Sequence, residues 1–160
     1  MLRQLLIGSR GRSANGNARA GQALAEFVLV VPALLLLVFG IIEFGLAFRT
    51  YQIVTNTARE GARAAVLPSD NDDATIEQVV RDRLAASGLD PDQAEISFSC
   101  DGVEGGLCTA SRTGRESGVI VSYPYRFLVL GPLMAATCGA NCGDRFGEIF
   151  LEATSVMRNE

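Results

Sequence analysis

Residues 23–48 read ALAEFVLVVPALLLLVFGIIEFGLAF, and the only charged side chains among them are Glu26 and Glu43. From Phe27 to Ile42 the run is apolar throughout apart from the special residues Pro32 and Gly40. At ~1.5 Å per residue, a helix over this stretch reaches about 39 Å, which exceeds a hydrocarbon core of roughly 30 Å. The stretch therefore predicts one transmembrane helix, over about residues 27–48. Pro32 should bend or loosen it locally, because proline lacks the N–H and its ring crowds the carbonyl of Val28.

Charge on either side of the run predicts its orientation. Residues 1–25 contain Arg3, Arg10, Arg12 and Arg19 and no acid, whereas residues 49–160 carry ten Arg against sixteen Asp and Glu. The net charge of −4 hides this asymmetry. By the positive-inside rule the N-terminus is cytoplasmic and the acidic remainder extracytoplasmic, so the chain reads as a single-pass protein of the bacterial inner membrane. A cleaved secretory signal would also pair basic residues with an apolar run, and Gly45-Leu46-Ala47 offers a small-x-small site. Its basic region would exceed twenty residues, however, and Glu43 would sit beside the cut. A buried helix of a soluble protein would need more surrounding chain than 160 residues supply.

Composition argues against an enzyme. The chain has no His and no Trp, so the commonest general base and neutral metal ligand are missing. The acids Asp70, Asp72, Asp73, Glu77, Asp82, Asp90, Asp92 and Glu95 crowd into one polar helix and its flanks, where solvation accounts for them. No cofactor is implied. Nucleic-acid binding lacks aromatic interleaving or a fold signal, while the basic N-terminal segment suits the anionic lipid of a bilayer.

Beyond the apolar run the helical pattern continues without proline to Leu67. Val54, Ala58, Gly61, Ala62 and Ala65 recur at spacings of three and four, a stripe of small residues that permits close approach of another helix. Arg59, Glu60 and Arg63 mark the polar side, and Pro68 ends the helix. A second helix is signalled by an N-cap within Asp70–Asp73, by the apolar positions Ile76, Val79, Val80 and Leu84, and by the stop at Gly88 and Pro91. Alternation over Ile96–Cys100 and Val119–Phe127 predicts strands, as does Glu148–Met157 with Ile149, Leu151 and Ala153 on one side. Pro124 predicts that the second of these is an edge strand or is interrupted. The class is α+β: a long N-terminal transmembrane helix, a second helix and a small antiparallel sheet.

Four cysteines, Cys100, Cys108, Cys138 and Cys142, fall on the oxidising side of the membrane, where an even count favours disulfides. Three connectivities are available, and we favour the local pairs Cys100–Cys108 and Cys138–Cys142. A zinc site is the competing chemistry, but neither pair is C-x-x-C and no His assists. Gly102, Gly105 and Gly106 between the first pair read as turn residues.

The entrance to the apolar run, Arg19-Ala20-Gly21-Gln22-Ala23-Leu24-Ala25-Glu26-Phe27, resembles the site cut by prepilin peptidases, which sever the bond after such a Gly. The cut would separate Gly21 from Gln22 and leave Glu26 as the fifth residue of the mature chain. Together with GQALAEFVLVVPALLLLVFGIIEFGLAF, the later TAREGARAAV and the closing LEATSVMRNE, this resembles the TadE-like family of Tad (Flp) pilus systems. The likeness is strong over residues 21–67 and weak over the last ten or so. The step Glu26-Phe27 departs from the Glu-Tyr favoured by major Flp pilins.

The resemblance implies a minor pilin or pseudopilin: a basic leader over residues 1–21, a long helix over 22–67 and a pilin-like extracytoplasmic domain over 68–160. It also implies a structural subunit rather than an enzyme. Its partners would be other pilins of the same system, the prepilin peptidase, an inner-membrane assembly platform and the bilayer, with roles in adhesion or secretion. In that picture Glu26 meets the freed amino group of a neighbouring subunit. The alternative is an unprocessed single-pass protein whose external domain binds secretion or envelope components. A plainer account of both Glu26 and Glu43 also stands, since each lies about 12–13 Å from the middle of the run and would mark a membrane boundary.

Overall fold

The computed structural model describes residues 15–67, 72–108, 114–138 and 147–159. Helix α1 runs Asn15–Ala65 and continues unbroken through Pro32. It begins upstream of Gln22, the expected start. The chain divides into two units, residues 1–38 and 39–160. Within the first unit, the apolar side chains from Leu24 to Val38 are exposed over most of their length. A helix that is apolar all round and uncovered by its own protein is suited to lipid.

The second unit holds residues 39–65 of α1, helix α2 (Asp73–Ala86), a short 3-10 turn (Pro91–Gln93), a sheet, and helix α3 (Leu130–Cys138). The strands are β1 (Glu95–Cys100), β2 (Val103–Glu104), β3 (Glu116–Arg126) and β4 (Glu148–Arg158). They form one antiparallel sheet in the order β2-β1-β3-β4.

Local sequence explains most of these elements. Asp72 caps α2 by accepting the Thr75 N–H, which holds its carboxyl below the usual range, the Thr75 hydroxyl contributing first. The far end closes on Gly88, whose φ of 81° allows the Leu89 N–H to reach the Leu84 carbonyl. Ile76, Val80 and Leu84 recur every four residues and are fully buried. The two-residue hairpin from β1 to β2 is Asp101-Gly102, both at positive φ (51° and 80°), the geometry that favours this dipeptide in tight hairpins. The alternation read from the sequence missed this second, very short strand.

One correction concerns Pro124. β3 is a central strand and runs uninterrupted through Pro124, which is opposite Phe150 of β4. Proline is tolerated because the β1 ladder stops at Glu95 opposite Ser122. Beyond that point β3 has no β1 neighbour whose carbonyl would require an N–H. Phe127, expected within this strand, lies just past its end.

The core is the face of the sheet that meets α1 and α2. Phe98, Val119, Val121, Tyr123 and Ala153 meet Val54, Ala58, Ala62, Ile76, Val80 and Leu84 in one buried cluster. Each fully buried Val, Leu or Ile contributes roughly 1.5–3 kcal/mol relative to exposure. Gly61 marks a close approach of α1: a β-carbon there would lie 2.7 Å from Val80 Cγ2 and 3.3 Å from Val119 Cγ1. The small residues at 54, 58, 61 and 62 thus serve the chain's own packing, with Ala65 half-buried beside them.

Candidate functional site

Gly21, Gln22, Glu26 and Phe27 all lie on the first unit's part of α1 and are exposed. A β-carbon at Gly21 would meet nothing within 4 Å. The bond expected to be cut therefore lies inside a helical stretch, on an uncrowded surface. Glu26 is among apolar exposed neighbours, Leu24, Phe27 and Val28. A carboxylate in such surroundings is costly in a bilayer and calls for a partner.

The other acid of the apolar run behaves differently. Glu43 is only 1 % exposed. Its Oε1 accepts the Val129 N–H at 2.7 Å and its Oε2 accepts the Leu130 N–H at 3.1 Å. These are the donors that open α3, where a helix leaves N–H groups without carbonyl partners and where negative charge is favoured. The Tyr125 hydroxyl donates to the Glu43 backbone carbonyl at 3.4 Å, and the Tyr125 ring meets Phe127 edge-on at 5.5 Å. Burial, and then the Glu43 charge, push the Tyr125 hydroxyl above its ordinary range. Glu43 is thus a buried clamp on α3 rather than only a marker of the membrane edge.

Sequence reasoning did not find this clamp. The general signal was present, since an acid in an apolar run normally has a partner. That partner is backbone 86 and 87 residues away, a distance no local spacing encodes. Helix α3 itself was also missed. Its composition, LGPLMAATC, has no charged residue and no polar face to establish a period.

At the opposite end of the sheet, Cys100 and Cys108 are joined in a disulfide. Loop Asp101–Leu107 is anchored further by the Leu107 N–H to Asp73 Oδ1 (3.1 Å) and by Arg115 Nε to Asp101 Oδ2 (2.7 Å). Cys100, Asp101 and Cys108 are close enough together to suggest a metal site. Their two sulfurs are already bonded to each other, which leaves no thiolate to ligate. Cys142, and with it the second expected pair, lies outside the described residues.

The disulfide closes a loop of eight residues' separation. Loop-closure entropy puts its contribution at about 2.5 kcal/mol. Replacing both cysteines by serine should lower the unfolding free energy by that amount in denaturant titrations. A change below about 0.5 kcal/mol would mean that the Asp73 and Asp101 anchors hold the loop unaided.

The fold and these sites define a class: a membrane-anchored protein with, among the described residues, one helix long and apolar enough to cross a bilayer, followed by a small α+β unit. A family model described as TadE-like protein matches residues 21–63. The matched segment opens on Gly21, contains Glu26 and Glu43, and ends within the stripe that packs the core. No curated protein and no solved structure gives a significant match to the chain.

Proposed function

We propose that this protein is a minor pilin or pseudopilin of a Tad (Flp) pilus system, cut by a prepilin peptidase between Gly21 and Gln22. The supporting observation is the TadE-like match over residues 21–63, which begins at the glycine before the proposed cut. The leader remains in the cytoplasm, and the α+β domain lies outside the inner membrane. Glu26, the fifth residue after the cut, pairs with the new amino group of an adjacent subunit, an ion pair whose strength rises where water is scarce. Phe27 supplies apolar surface beside it. The partners are other pilins, the inner-membrane assembly platform and the bilayer, and the chemistry is assembly.

A second reading draws on one observation, the helical continuity of α1 from Asn15 through Gly21 and Gln22. In that reading the chain keeps its N-terminal segment and serves as a single-pass receptor for envelope or secretion components. Mass spectrometry of the protein taken from membranes separates the two. A chain beginning at Gln22 is the expected result, and a persistent 1–21 segment would exclude processing. Glu26→Ala should leave cleavage intact and lower recovery in the sheared filament fraction by about tenfold, the equivalent of roughly 1.4 kcal/mol. Unchanged recovery would remove the registering role.

A further inference from the structure

We infer that the α3 end of the second unit is seated in the bilayer, with the Arg126–Glu148 end of the sheet lying at the lipid interface. The inference rests on α1 spanning a bilayer and is independent of processing and of entry into a filament. Its starting point is the depth of Glu43. That residue lies five positions before Phe48, where the apolar run ends, so its Cα is about 7–8 Å inside the run. Because its carboxylate holds the Val129 and Leu130 N–H groups directly, the start of α3 is at the same depth.

What surrounds this point suits lipid. Leu128, immediately before the clamp, is 77 % exposed, and Phe44, the residue after Glu43, is 74 % exposed. Phe150, opposite Pro124 near the same end of the sheet, is 69 % exposed. Pro132 and Ala136 give α3 an exposed surface with no charge. Among the described residues from Arg126 through α3 and at the start of β4, the charges are Arg126, largely exposed, and Glu148, which it meets at 3.3 Å. An arginine with a long apolar stem at this level would reach toward headgroup phosphates. Apolar surface of this kind lodges about 5–10 Å into the headgroup and acyl boundary. A bilayer is the occupant favoured because the Glu43 carboxylate ties the start of α3 directly to residues 39–48 of the apolar run, in the same compact unit.

The absence of Trp from the chain makes the test direct. Leu128→Trp and Phe150→Trp each introduce one reporter, the second a conservative exchange if the first disturbs folding. The full-length protein is reconstituted in phosphatidylcholine and phosphatidylglycerol vesicles containing lipids brominated either near the glycerol or near the chain end. Emission from both variants should fall about twofold with bromine near the glycerol and less with bromine near the chain end, as a shallow seat requires. Val103→Trp is the control, because Val103 is 72 % exposed at the other end of the sheet, about 30 Å along β3. It should be unaffected by either lipid.

Solvent-like emission from residues 128 and 150, quenched by iodide and not by lipid, would overturn the inference. Emission protected from both iodide and brominated lipid would also overturn it and would identify a protein cover instead. Leu35→Trp, in the middle of the apolar run, distinguishes the two levels of failure. Quenching at residue 35 without quenching at 128 or 150 removes this inference alone, whereas no quenching at residue 35 removes the membrane span beneath it.

Discussion

Glu43→Ala should destabilise the second unit by roughly 3 kcal/mol, the net value of two hydrogen bonds from backbone N–H groups to a buried carboxylate. The substitution leaves the Val129 and Leu130 donors without an acceptor at a point that is 1 % exposed, so water cannot readily replace the oxygens. Glu43→Gln separates charge and geometry from bulk. Its amide oxygen can take one N–H, but its NH2 then faces the other donor, and a loss of about half is expected.

All three tyrosines, at 51, 123 and 125, lie in this unit, so near-ultraviolet circular dichroism follows its unfolding. Hydrogen exchange at the Val129 and Leu130 amides should accelerate in both variants. An alanine variant within about 0.5 kcal/mol of the parent would show that α3 is held by its apolar contacts alone. The Tyr125 hydroxyl should move only part of the way back toward its ordinary range, because burial is the larger cause of its shift and the Glu43 charge the smaller.

Gly61→Leu is expected to cost about 3 kcal/mol or more, toward the upper end for overpacking a filled core. Even the first added carbon meets Val80 Cγ2 at 2.7 Å. Val80 is fully buried, and a β-branched side chain on a helix has little freedom to turn away. Gly61→Ala sets two effects of opposite sign against each other. Alanine favours a helix interior by about 1 kcal/mol over glycine, while displacing Val80 toward Val119 costs more than that, for a net loss of about 1 kcal/mol. Urea titrations of the two variants decide the matter. An alanine variant more stable than the parent would mean that α2 yields at this contact and that Gly61 is not what sets the spacing of α1 from α2.

The local elements were legible because their signals are local. The Asp72 cap, the Gly88 stop and the four-residue recurrence of Ile76, Val80 and Leu84 each lie within one helix and can be read from neighbouring residues. The same holds for β1, β3 and β4, whose alternation follows the pleat. The stripe at Val54, Ala58, Gly61 and Ala62 was legible as a place of close approach, but its occupant was not. Small side chains permit contact without specifying which surface arrives, and here α2 and β3 of the same chain take that place. Pro124 shows a related limit, because the cost of a missing N–H depends on where the adjacent strand ends.

The sequence by itself determined the class of this protein: an apolar run long enough to cross a bilayer and nearly free of charge, a basic flank before it and an acidic α+β body after it. Hydrophobicity, charge asymmetry and short-range periodicity are summed along the chain and need no knowledge of contacts. Only the tertiary structure decided the role of Glu43, the existence of α3 and the burial of the small-residue stripe. Each depends on groups brought together across many residues by chain closure, and a carboxylate accepting two N–H groups more than eighty positions away leaves no trace in the spacing around it.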